Sequence, residues 1–201
     1  MKTLLRTAVL AAAALGLSAC ITLFPEAEPS KLYRFEIDAP SEVSVKTFDV
    51  SRGPIAFDRA ASGDGLLTVT NGELAYIDSA RWGAPAAQIF EEELIRAFQA
   101  GNARLVSPGE MGRTDFILRL DVQRFEVQYR NGPEGAPVVV VEIKASMRRN
   151  EREGVTVEKV FKAEIQTTEN RVGVIIPAYN TALTQTLTQL NSWVVSLESS
   201  K

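Results

Sequence analysis

Residues 116–165 read FILRLDVQRFEVQYRNGPEGAPVVVVEIKASMRRNEREGVTVEKVFKAEI, and the spacing of their apolar side chains sets the architecture of the chain. Phe116, Leu118, Leu120 and Val122 share one parity, whereas Phe125, Val127 and Tyr129 share the other. Successive strand residues point to opposite faces, so an extra residue near Gln123 or Arg124, a β-bulge, keeps both sets on one side. Arg130 to Ala136, with Asn131-Gly132-Pro133 and Gly135, has the composition of a loop between antiparallel strands. The next strand directs Val139, Val141, Ile143, Ala145 and Met147 inward and Glu142, Lys144, Ser146 and Arg148 to water. After a turn at Asn150 to Gly154, Val155, Val157, Phe161, Ala163 and Ile165 complete a three-stranded meander.

A sheet with one apolar face needs something to cover it, and two segments have helical periodicity. Pro85 suits a first helical turn, Phe90, Leu94, Ala97 and Phe98 fall on one face, and Gly101 marks the end. The acids Glu91 to Glu93 near its start are read as dipole-favoured surface charges. From about Val174 to Leu197, Ile176, Tyr179, Leu183, Leu187, Leu190, Val194 and Leu197 form a second stripe, with Pro177 placed in the first turn. The fold class predicted is α+β: one domain, mainly antiparallel sheet, with both helices packed on one face.

Towards the amino terminus, Tyr33, Phe35 and Ile37 alternate with Arg34 and Glu36, as in a half-buried strand that Pro40 stops. Val43 to Val50 alternates weakly, Ile55 to Phe57 follows Gly53-Pro54 as a separate short strand, and Ala103 to Val106 is another. Between Leu66 and Ile77 two extended runs flank Asn71-Gly72, a pair suited to the positive φ angles of a type I′ hairpin turn.

Lys2 and Arg6, the apolar run Ala8 to Leu17 and the small residues before Cys20 look like a bacterial lipoprotein signal, with cleavage before Cys20 and acylation of that residue. The expected division is a signal peptide over 1–19, an acylated cysteine and tether over 20–30, and a folded domain over 31–201. The apolar run is too short to span a bilayer, and several acyl chains on one residue give a lasting membrane anchor.

Composition narrows the function further. The chain has 22 basic and 25 acidic residues, and removing the signal takes away two bases and no acid, a balance that points away from nucleic acid. It has no histidine, which removes imidazole catalysis and His-ligated metals, and its one cysteine is assigned to the anchor. Carboxylate-only and Ser-Lys chemistry stay open without a recognisable constellation. No catalytic residue, metal or cofactor is expected, so binding is the activity left.

Two surfaces are candidates for it. One is the junction of Tyr76, Arg81 and Trp82, residue types that dominate binding energy at interfaces; the other reading of Arg81 and Trp82 is a core aromatic beside a paired cation. The second is the Thr- and Gln-rich back of the last helix, including Thr184 and Thr188, where no charge occurs between Arg171 and Glu198. That face suits either a covering partner or ordinary uncharged solvation.

Leu32-Tyr33-Arg34-Phe35, Gly72-Glu73-Leu74-Ala75-Tyr76 leading to Ala80-Arg81-Trp82, Asp115-Phe116-Ile117-Leu118, Phe125, and Phe161 with the terminal helix to Trp193 together resemble the ABC-type transport auxiliary lipoproteins, companions of MCE-type intermembrane lipid transport systems. The resemblance implies a non-enzymatic accessory under the outer membrane of a periplasm-spanning phospholipid transport assembly. It also implies an MCE-type subunit as partner, with self-association through the neutral helix as a second arrangement. Ile21 rather than aspartate after the cysteine fits outer-membrane sorting in bacteria that use that rule. Competing readings are an outer-membrane lipoprotein of the lipopolysaccharide-assembly type that plugs or chaperones a β-barrel, which should carry a basic surface for an anionic glycolipid, and a periplasmic hydrolase.

Cys20→Ala is expected to abolish acylation and release the protein from the membrane fraction while the domain stays folded. Incorporation of labelled palmitate into the variant would contradict the assignment.

Overall fold

The computed structural model describes residues 29–37, 48–110, 114–151 and 154–198. Cys20, the signal, most of the tether, Pro40 and most of the Val43 strand lie outside the described residues. In chain order come β1 (Lys31–Tyr33), β2 (Phe48–Phe57), β3 (Gly65–Thr70), β4 (Glu73–Trp82), α1 (Ala86–Ala100), β5 (Ala103–Val106), β6 (Phe116–Gln128), β7 (Val138–Arg149), β8 (Thr156–Gln166) and α2 (Val172–Glu198).

Strand β6 is the trunk of the sheet. Along one edge it pairs antiparallel with β7 over its whole length, and β7 pairs antiparallel with β8. Its other edge is shared: the amino-terminal half pairs parallel with β2, from Val50↔Phe116 to Phe57↔Val122, and the far end pairs parallel with β3 at Thr68↔Val127. Beyond them, β5 lies against β2, and β4 then β1 lie beyond β3. The sheet is therefore mixed, with its longest ladders antiparallel.

The expected bulge is present as a register shift between Val122 and Arg124. It leaves Phe116, Leu118, Leu120, Val122, Phe125 and Val127 all buried on one face. Both helices cover that face. The Phe125 ring lies 4.8 Å from Tyr179 of α2 and 5.6 Å from Phe57, which itself lies 5.7 Å from Phe90 of α1. The α+β architecture predicted from periodicity is the observed one, with Asn71 at φ 51 and Gly72 at φ 86 turning the β3–β4 hairpin.

Several boundaries differ, each for a local reason. β2 runs unbroken through Gly53-Pro54, absorbing the irregularity between Arg52 and Ile55. A Cβ at Gly53 would stand 2.9 Å from Leu118 O, so glycine permits the two backbones to approach. β1 stops at Tyr33, yet Phe35 is fully buried because its ring leaves the sheet to pack 5.0 Å from Trp82. α2 starts at Val172, which moves Pro177 into the second turn, where it lacks the N–H that would reach back to Gly173. Val155 and Val157 share the parity of Phe161 but are exposed, since β8 is an edge strand and the cover from α2 reaches Phe161 through Trp193. Lys159, of the same parity, sets its ammonium 5.4 Å from the Phe161 ring, and an inward-leaning lysine on a free edge discourages edge pairing.

Phe125→Ala should cost about 3–5 kcal/mol, because it opens a void among several rings, whereas Arg124→Ala on the solvent side should cost under about 1 kcal/mol. Urea unfolding of the two variants measures the contrast.

Candidate functional site

Alternation along β4 separates the residues of the first candidate surface. Ala80 and Trp82 face the helices, and Arg81 between them faces solvent. Trp82 is only 2% exposed and sits edge-on to Phe35 at 5.0 Å and to Tyr179 at 5.1 Å. Trp82 is therefore a core residue and not part of the contact surface expected for it, and the fold realises the reading of Trp82 as core aromatic. Arg81 is half exposed and pairs with Asp64 at 3.3 Å. Tyr76 lies on the same outer face as Arg81, its hydroxyl donating to Ala60 O at 2.8 Å and its ring lying over Gly65, where a Cβ would come within 2.6 Å. Tyr76 and Arg81 thus stay together, and Leu32 and Leu74, which the sequence patterns did not single out, join them as exposed side chains. The available signal was parity: Leu32 is an apolar residue out of phase with Tyr33 and Phe35.

The second surface is a groove. Where the end of α1 meets α2, a cavity of about 550 Å³ is lined by Ile37, Ala97, Thr184, Leu187, Thr188 and Val195 among others. Thr184 and Thr188, one turn apart, share its wall, and no lining residue is charged. Asn191 crosses between the helices and donates to Ala97 O at 3.1 Å. Gly101 ends α1 with extended backbone, at φ −90 and ψ 178, so left-handed freedom is not its role there. A Cβ on it would meet the Asn191 amide at 2.0 Å, and the glycine makes room for that crossing.

One acid of the run Glu91 to Glu93 proves to be structural. Glu93 is 3% exposed and accepts from the Ile37 N–H at 3.2 Å, while Arg96 lies 3.3 Å away. From α2, Asn180 Oδ1 accepts the Glu36 N–H at 3.1 Å. Both helices therefore grip the backbone that follows β1. Burial pushes the Glu93 carboxyl above its usual range, with the Ile37 N–H and Arg96 opposing.

The outer face of β6–β8 carries a charged lattice instead. Arg130 and Lys162 hold Glu164 at 2.8 and 2.7 Å and pull its pKa to about 2, and Lys144 holds Glu158 at 2.9 Å. Such partly exposed pairs add little stability and keep this half of the face wetted. Among the described residues no helix is long and apolar enough to cross a membrane.

A family model described as the ABC-type transport auxiliary lipoprotein component matches residues 35–191. No curated protein matches the chain significantly. Among solved structures, protein XCC0632 from Xanthomonas campestris is similar with a TM-score of 0.70 and 22% identity, over 85% of this chain and 99% of that one. A crystal structure described only as an uncharacterized protein aligns with a TM-score of 0.63 and 14% identity, over 83% of this chain and 99% of the other. At these identities the two structures share the fold.

A carboxyl whose pKa is raised by folding favours the folded state below the ordinary carboxylate range, and that contribution is lost as pH rises through the raised value. Glu93→Gln keeps an oxygen for the Ile37 N–H and removes the titration. Its stability relative to the unaltered protein should therefore be higher at pH 7 than at pH 4 in urea unfolding; an equal difference at both would show that the buried carboxyl is not linked to folding.

Proposed function

The chain belongs to the family of ABC-type transport auxiliary lipoprotein components, and from that premise we propose that it is an outer-membrane-anchored periplasmic accessory of an MCE-type intermembrane phospholipid transport system. It works by binding protein, not by catalysis, and is held to the membrane through acylated Cys20. The family match carries this reading. The census of side chains supports it: the chain has no histidine, and its one thiol is the one to be acylated.

The geometry supports two places where an MCE-type subunit docks. The groove between α1 and α2 is neutral, partly apolar and rimmed by hydroxyl and amide groups, a surface that accepts an uncharged partner segment without stranding a buried charge. The outer corner around Tyr76 and Arg81 offers an aromatic and a guanidinium on a rigid hairpin. Self-association through the neutral helix is the alternative use of the groove, and sedimentation separates it from binding to another chain.

Two sets of variants test the reading, each checked first for folding and membrane localisation. Thr184→Lys with Thr188→Lys places two charges in the groove wall, and Arg81→Glu reverses the corner. At least one set should weaken capture of the MCE-type subunit about tenfold, equivalent to about 1.4 kcal/mol, or change the oligomeric state. If both sets keep capture, assembly and the membrane barrier intact, neither surface is the docking site.

A further inference from the structure

The outer face of the sheet is divided. Where β6, β7 and β8 form it, paired lysines, arginines and glutamates cover it. Where β3, β4 and β1 form it, the residues are of another kind. Cα partners in neighbouring strands share a face, so Val69↔Leu74, Leu67↔Tyr76 and Leu32↔Arg81 place Leu32, Val69, Leu74, Tyr76 and Arg81 on one side, together with Leu67, which is buried there. Arg81 lies between the helix-facing Ala80 and Trp82, which fixes that side as the one away from the helices, and the Tyr76 ring closes over Gly65, the partner of Arg81. Leu32 is 70% exposed, Leu74 56% and Tyr76 51%. The hairpin outruns the helices altogether: Glu73, Leu74, Ala75 and Tyr76 are exposed in sequence.

The path of the chain says what this corner meets. β1 runs parallel to β4 with Lys31 beside Ala80, and the Ser30 hydroxyl donates to Asp78 O at 2.6 Å. In a parallel pair the residues before β1 lie on the side of the residues before Ala80, so the chain comes into the fold from the hairpin end. The stretch from Cys20 to Pro29, fully extended, spans roughly 30 Å. Leu74 stands only about 13 Å along β4 from Asp78. An acylated Cys20 therefore brings the lipid surface within reach of the apolar corner.

We propose that the exposed corner formed by Leu32, Leu74 and Tyr76 rests on the lipid bilayer that holds Cys20, which fixes the orientation of the domain with the β3–β4 hairpin towards the membrane. This rests on the lipid anchor proposed above, and it gives the hairpin corner to lipid, which leaves the groove between α1 and α2 as the docking place for the MCE-type subunit. Leucines enter the acyl boundary, and a tyrosine with one apolar face and one polar end suits the headgroup level, as does Arg81 beside it. The Asn71-Gly72 turn is uncharged, and the exposed Glu73 next to it keeps the tip of the hairpin at the headgroup level. The opposite corner of the sheet is then the most distant from lipid: Val157 pairs with Met147, which pairs with Leu118, at the far end of β6 from Val127. The groove between the helices, lined from Thr184 towards Val195, lies along the half of α2 that runs away from the hairpin, and it stays open to a periplasmic partner.

The test uses the full acylated protein in vesicles of phosphatidylethanolamine and phosphatidylglycerol that contain lipids with a nitroxide on the acyl chain. Acylation occupies the single native cysteine, so Leu74→Cys, Leu32→Cys and Val157→Cys each present one thiol for a fluorophore. Quenching of the Leu74→Cys and Leu32→Cys labels should exceed that of the Val157→Cys label at least about threefold. Equal quenching of the three in acylated protein overturns the proposed orientation and leaves the anchor standing. A protein that incorporates no palmitate and does not float with vesicles overturns anchor and orientation together. Labels at Leu74 and Leu32 that respond to an added MCE-type subunit, and not to lipid, assign the corner to protein and overturn the proposal.

Discussion

The fold depends on keeping Phe116, Leu118, Leu120, Val122, Phe125 and Val127 of β6 on one face, and the extra residue at Gln123 does this. A strand of this length carries its side chains alternately to both sides, and the apolar parity of β6 changes midway. Without the shift between Val122 and Arg124, Phe125 and Val127 would point to water and the aromatic cluster would lose its centre. Phe125 touches Phe35, Phe57, Trp82 and Tyr179, which come from four other segments of the chain. The bulge thus aligns the core of the meander with that of the amino-terminal half.

The same irregularity divides β6 between two partners. β2 pairs with the portion before it and β3 reaches the end beyond it, so the sheet forks into a β2–β5 branch and a β3–β4–β1 branch. Both helices pack over the junction. The fork leaves the β3–β4 hairpin projecting from the body of the domain, and it leaves a seam between the helices where Asn191 meets Ala97. Among the described residues, the groove and the hairpin corner are by-products of how the core closes.

Charge is distributed to match. The outer faces of β6, β7 and β8 are occupied by ion pairs, and the edge strand β8 has Lys159 leaning inward, so this side is protected from casual association. The groove and the hairpin corner lack that protection. On the readings proposed above, the groove is the surface left for a protein partner and the corner the one left for lipid.

The sequence by itself determined the elements: parity revealed the three strands of the meander and the bulge between Val122 and Arg124, Asn71-Gly72 revealed the hairpin, and two apolar stripes revealed the helices and their common face. These are properties of single elements with fixed periods, so they survive without knowledge of the rest. Only the tertiary structure decided which strands lie side by side, since β2 and β3 carry no mark saying that both pair with β6. For the same reason Trp82 and Arg81, adjacent in sequence, could not be assigned to core and surface until β4 took its place, and Glu93 could not be told from Glu91 and Glu92 until Ile37 presented its N–H. Thr184 and Thr188 were legible as a neutral face of one helix, but the groove they line needs the end of α1, and long-range packing alone brings it there.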